Sequence, residues 1–245
     1  MQAKLYGFSI SNPTQTAALA LRFKGVEYKN VELLPGMHPL LMKLHGFERD
    51  TVPGLKLDGR KIEGSTAIVR ELEKLVPEPS LYPADPEQRR KVEEAERWGD
   101  EELQMVPRRI VRWVMATDNG ARTRVARDIG IPLPSVVAAL NKPIAGWIAK
   151  RVNADEAAAR DQLVNLRATL DKVDALIADG VIGDPDAPNA ADFQIAPSIR
   201  AIGAIGDLRP LLDGRPCDAL ARRLLPRFEE AEPMLPPHMR AAAGL

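Results

Sequence analysis

A chain of 245 residues with 34 basic and 34 acidic side chains has no net formal charge, which excludes the basic excess that nucleic acid or an anionic membrane surface selects. No apolar run reaches the length of a membrane span, and one cysteine, Cys217, excludes an intrachain disulfide and fits a reducing, cytoplasmic setting. The length suits one large or two small domains with a substantial core.

Met1-Gln2-Ala3-Lys4 runs directly into a strand pattern over Lys4 to Ser9, so no signal peptide is expected. Thr14 to Lys24 reads as a helix, with Ala17, Ala18, Leu21 and Arg22 at helical spacing and Gly25 as its stop. Val26 to Leu33 alternates like a half-buried strand. From Val52 to Leu72 the pattern is a short strand, a two-residue Asp58-Gly59 hairpin, a second strand, and a helix opening at Ser65. Asp-Gly supplies the positive φ angles of a tight hairpin. Gly64-Ser65 leaves backbone N–H groups and a hydroxyl at a helix start, a ready anion site. Pro77 to Pro83 cannot continue a helix and reads as a linker.

Beyond the linker the pattern is helical, which divides the chain into an α/β unit over 1–79 and an α-helical unit over 80–245. Glu87 to Trp113 reads as one long amphipathic helix, bent where Pro107 removes a backbone donor. Shorter helices follow between Asp118 and Pro143. Asp155 to Ala178 places Leu163, Leu166, Leu170, Val173 and Ile177 on one face. Asn189 and Asp192 have the spacing of a capping box. Ala219 to Glu230 reads as a last helix, and Pro233 to Leu245 as a loosely held tail.

The chemistry-bearing candidates lie in the first unit. Ser11-Asn12-Pro13 stands between the first strand and the first helix. Read from the residues alone, Ser11 and Asn12 cap the helix. With no cysteine here, chemistry that needs a protein thiol nucleophile is not expected. No histidine pairs with acids at metal-ligand spacing, so no metal is expected. The runs Arg89-Arg90-Lys91 and Arg108-Arg109 read as solvated faces, and Arg122, Arg124 and Arg127 as a cluster too modest for nucleic acid.

The order strand, helix, strand, short helix, strand, strand, helix resembles the thioredoxin-like unit, and Val52-Pro53 ahead of the hairpin resembles its cis-proline corner. With Ser11, Gly64-Ser65 and the Asn189/Asp192 box, the chain resembles the soluble glutathione S-transferases over nearly its full length. The resemblance implies a thioredoxin-like N-terminal domain and an all-α C-terminal domain, with glutathione as co-substrate and no metal. It implies Ser11, which matches the family's serine position counting back from Leu21 and Gly25, as the catalytic hydroxyl, with Ser9 and Asn12 as competitors, while Phe8 falls near the place of the tyrosine in tyrosine-type members. A thiol of pKa about 8.5 is mostly protonated at neutral pH, and a hydroxyl donating to its sulfur at a helix N-terminus favours the thiolate, which is the nucleophile. It assigns Val52 and Pro53 to the cysteinyl part of the thiol and Ser65 to its γ-glutamyl carboxylate. Most members have Glu or Gln where Gly64 stands. Asn12 joins the thiol site, and His38 falls where some members hold the glycyl carboxylate. Met105, Arg109 and Trp113 would line the pocket for a small hydrophobic electrophile. A homodimeric detoxifying transferase is the resulting expectation. A non-catalytic scaffold with the same fold, and a transferase or isomerase using another low-molecular-weight thiol, are the alternatives.

Overall fold

The structure is a computed structural model that describes residues 2–34, 36–128, 130–226 and 232–245. Four strands, β1 (Ala3–Gly7), β2 (Tyr28–Glu32), β3 (Gly54–Leu57) and β4 (Arg60–Glu63), form one mixed sheet in the order β2-β1-β3-β4. β1 and β2 run parallel, joined through α1 (Asn12–Phe23). The β1/β3 and β3/β4 pairs are antiparallel. Successive side chains of a strand leave on opposite faces. Leu5 accordingly joins the main core with Leu55, Leu57, Ala17, Leu21, Ile68 and Leu72. Tyr6 joins a smaller cluster with Leu33, Phe47 and Met42, the last from α2 (His38–Leu44). The Asp58-Gly59 hairpin forms as expected, with φ of 47° and 84°. α3 (Ser65–Leu75) follows β4 directly, and the Val52–Pro53 peptide is cis. Gly7 lets α1 start against the strand end, since a Cβ there would stand 2.4 Å from Thr14 Oγ1. This is the thioredoxin-like arrangement.

The linker is tied down rather than free. Lys24, buried, donates to Glu73 at 2.5 Å and to the carbonyls of Pro77 and Pro79 at 3.2 and 2.7 Å. The Leu81 N–H returns to Glu73 at 3.0 Å.

α4 (Pro86–Trp98) and α5 (Met105–Thr117) are separated by a π-helical turn over Gly99–Leu103, closed by the Gln104 N–H to the Gly99 carbonyl at 3.1 Å. The expected single helix is therefore interrupted at 99–104, ahead of Pro107. Pro107 sits in the first turn of α5, where its ring excludes the carbonyl four residues back and supplies no N–H to it; the turn before it widens instead of kinking at the proline. α6 (Asn119–Asp128), α7 (Pro134–Leu140) and α8 (Lys142–Arg151) follow. The expected helix over 155–178 is two, α9 (Glu156–Val164) and α10 (Leu166–Ala178), broken at Asn165, with Leu163, Leu166, Leu170 and Val173 fully buried.

α11 (Ala190–Gly203) is buried along nearly its whole length and packs on α1, α4 and α13. The capping box holds its start. Asn189 Oδ1 accepts from the Ala191 and Asp192 N–H groups, and Asp192 accepts from the Asn189 N–H at 2.9 Å. α12 (Arg209–Leu212) and α13 (Pro216–Leu224) come next; residues 227–230 of the expected last helix lie outside the described residues. The tail is a further correction. Its Met234 and Leu235 N–H groups reach Asp207 at 2.6 and 2.8 Å, it forms α14 (Pro237–Ala242), and Leu235, Met239 and Ala243 are buried. Met239 and Ala243, one helical turn apart, and Leu235 just ahead of the helix dock it on the core.

Candidate functional site

A cleft of about 690 Å³ opens between the loop ends of the sheet unit and helices α5 and α8. Two helix starts, those of α1 and α3, contribute to its wall, and each turns unpaired N–H groups and a partial positive charge toward its own first residue.

Ser11 is the N-cap residue of α1, is 8% exposed, and lines the cleft. Its side chain makes no capping bond. An N-cap oxygen takes the N–H of the second or third helical residue, and the second here is Pro13, which has none. The Ser11 hydroxyl is thus not engaged in holding the helix. Asn12 also lines the cleft, with its Nδ2 3.4 Å from Ser198 Oγ of α11. Ser9 is exposed and outside the cleft lining.

Val52 and the Gly64-Ser65 corner stand on the same cleft. Val52 precedes β3 and lies outside the sheet ladder, whereas Pro53 is buried behind it and its carbonyl accepts the Gly64 N–H at 2.9 Å. The N-cap position of α3 is Gly64, at φ +95°, and Ser65 is the first helical residue. The positive φ explains glycine at 64: any side chain there would be strained, and its Cβ would lie 3.2 Å from Arg49 Nη1. The neighbouring Glu63 carboxylate accepts from the Glu48 and Arg49 N–H groups at 2.7 and 2.6 Å.

His38 faces Phe8 edge to ring at 5.5 Å and lines the cleft. Burial first, then the positive charge of Arg112, lowers its pKa from 6.5 to about 4. His38 is neutral at physiological pH and brings a hydrogen-bonding edge in place of the charge expected of it.

The α5 wall differs from expectation by one residue of phase. Gln104, Arg108, Val111 and Arg112 line the cleft, whereas Met105, Arg109 and Trp113 do not. Trp113 lies in a separate cavity of about 490 Å³ with Arg124, His238 and the tail segment Pro233–Pro236. One residue on a helix is about 100°, enough to exchange one wall for another.

Several cleft residues escaped the sequence reading. The π turn places Asp100 beside the start of α3, where its Oδ2 accepts from the Thr66 hydroxyl at 3.2 Å and its Oδ1 from Gln104 and Gln194 amides at 2.9 and 3.2 Å. α8 contributes Trp147, half exposed, and Arg151. The Arg151 guanidinium lies 4.9 Å from the Trp147 ring and grips Asp50 with two bonds of 2.7 and 3.1 Å. Asp50 and Arg151 are 101 positions apart, so no local pattern announces the pair. The i, i+4 spacing of Arg108 and Arg112 was a readable signal of a shared face.

Cys217 is buried, and burial together with Asp174 pushes its thiol up to about 12; it is not a nucleophile. Among the described residues no group of three or more His, Cys, Asp or Glu side chains is arranged to hold a metal ion, and no helix is long and apolar enough to cross a membrane.

Residues 5–80 match the family described as glutathione S-transferase, N-terminal domain. No curated protein sequence matches the chain significantly. Among solved structures, the chain is similar to the β-etherase LigF from Sphingobium sp. strain SYK-6, at 20% identity over 83% of this chain and 84% of that one, with a TM-score of 0.61. It is similar to glutathione transferase F7 from Populus trichocarpa at 16% identity over 99% and 98%, with a TM-score of 0.59. It is similar to a maleylacetoacetate isomerase from Anaeromyxobacter dehalogenans 2CP-1, solved with dicarboxyethyl glutathione and citrate, at 22% identity over 91% and 87%, with a TM-score of 0.53. At these identities the structures share the fold, and over residues 5–80 the chain matches the glutathione S-transferase N-terminal domain family.

Proposed function

We propose that this chain is a cytoplasmic glutathione transferase that adds the thiol of glutathione to a small electrophile. The observation that carries the reading is the Ser11 hydroxyl. It is nearly buried, stands at a helix start on the cleft, and is not used as a cap. In this role it donates to the thiol sulfur and stabilises the thiolate, and the cleft then supplies proximity to the electrophile. The γ-glutamyl carboxylate sits on the N–H groups at the start of α3, with the Ser65 hydroxyl beside them. Asp100 accepts the α-ammonium of the same group. The backbone of Val52, free of the sheet ladder, pairs with the cysteinyl residue, and Asn12 and His38 complete the thiol wall. α5 and α8 provide the electrophile side. The bound glutathione conjugate of the isomerase relative supports glutathione as the thiol.

The test is a pH–rate profile of wild type and Ser11→Ala with saturating glutathione and 1-chloro-2,4-dinitrobenzene. One unit of thiol pKa corresponds to about 1.36 kcal/mol, so the variant should lose about tenfold in rate at neutral pH. The deficit should shrink above the free thiol pKa, about 8.5. Superimposable profiles would remove Ser11 from catalysis.

A further inference from the structure

Two guanidinium groups stand one turn apart on the cleft side of α5, at Arg108 and Arg112. Arg108 has partial compensation. Its Nη2 donates to Gln104 Oε1 at 2.8 Å, and the Asp100 carboxylate acts on it. Arg151, across the cleft, is taken up by Asp50. Arg112 has no hydrogen bond or ion pair within the described residues, and the charge that acts on it is that of Arg108, of its own sign. It is half-buried, so water screens it incompletely. A desolvated cation facing a like charge with no anion is destabilising in the free protein. The arrangement is relieved when an anion enters. Phe8, Val111, Trp147 and Ile148 surround the same space with apolar surface, so the entering molecule has an apolar body as well as a charge.

We propose that the electrophile taken by this cleft carries a carboxylate, seated on the guanidinium groups of Arg108 and Arg112. This rests on the transferase reading of the cleft and adds the substrate class. A single carboxylate fits better than a phosphate dianion because Asp50, Glu63 and Asp100 also face the cleft and repel the second charge. Planar guanidinium forks match a carboxylate in two-bond geometry. Binding there holds the reactive carbon in the cleft shared with Ser11.

The experiment compares two chloroarenes, one neutral and one anionic, with saturating glutathione. In both, the thiolate sulfur forms a bond to the ring carbon bearing chlorine, chloride leaves with the bonding pair, and the thiol proton goes to solvent. The neutral probe is 1-chloro-2,4-dinitrobenzene and the anionic one is 4-chloro-3,5-dinitrobenzoate. The readout is the ratio of kcat/KM for the anion to that for the neutral probe, which cancels the difference in intrinsic reactivity when variants are compared. Arg112→Gln should lower this ratio tenfold or more, chiefly through KM for the anion, and Arg112→Lys should restore part of it. An unchanged ratio in Arg112→Gln overturns the proposal. If neither probe is turned over by wild type, the transferase reading fails, and binding of unreactive 3,5-dinitrobenzoate decides the anion site separately. Quenching of tryptophan fluorescence reports it, since Trp147 lines the cleft. A tenfold weaker affinity in Arg112→Gln upholds the site, and equal affinity overturns it.

Discussion

Asp100→Asn is the perturbation that separates recognition of the thiol's α-ammonium from the rest of the cleft. Asp100 presents its carboxylate from the π turn with three donors around it, the Thr66 hydroxyl and the Gln104 and Gln194 amides. Asparagine preserves the shape and one acceptor oxygen, and the Thr66 hydroxyl can rotate to accept from the new amide, so the loss is chiefly the negative charge. A hydrogen bond to a charged group contributes about 1.5–3 kcal/mol, roughly ten- to a hundredfold in affinity. The cleft is open to water, which places the effect toward the lower half of that range. Isothermal titration of wild type and Asp100→Asn should be run with glutathione and with des-amino glutathione, which lacks the ammonium and keeps the carboxylates. Wild type should prefer glutathione by about ten- to a hundredfold, and Asp100→Asn should bind the two with nearly equal, weak affinity. If the variant keeps the wild-type preference, Asp100 is not the ammonium's partner. If it loses both ligands alike, Asp100 serves only to hold the Thr66 corner.

His38 gives a pH signature with a definite sign. Its folded pKa, about 4, lies below its unfolded value of 6.5, so the stability associated with the neutral imidazole is present above pH 6.5 and lost as pH falls toward 4; at 1.36 kcal/mol per unit the loss is at most about 3 kcal/mol, less after solvent screening. Denaturant unfolding across this window should show a flatter profile for His38→Gln, and a slope parallel to wild type would assign the acid sensitivity elsewhere. The chain should also form a homodimer, since Leu133, Val136, Leu140 and Ile144 expose apolar surface on α7 and α8 of a kind that partners cover. Light scattering should give twice 26.9 kDa at micromolar concentration, and a monomer mass would refute it.

The thioredoxin-like unit was legible because its signals are local. Asp58-Gly59 specifies a hairpin and Gly25 stops a helix, each through backbone chemistry within a few residues. Ser11, Val52, Gly64 and Ser65, grouped by the family resemblance, line one cleft, since strand-to-helix corners collect at one edge of such a sheet. The helical region was legible in kind but not in phase. The widened turn at 99–103 interrupts the expected long helix, and the cleft takes Gln104, Arg108 and Arg112 where the family resemblance pointed to Met105, Arg109 and Trp113. Asn165 divided one expected helix, and the tail docked because its few apolar side chains found buried partners that no window of sequence contains. Asp50 with Arg151, Asp100 beside Thr66, and Arg112 without an anion are matters of tertiary structure alone. Electrostatic meaning depends on distance and burial, and residues a hundred positions apart acquire both only when the chain has packed.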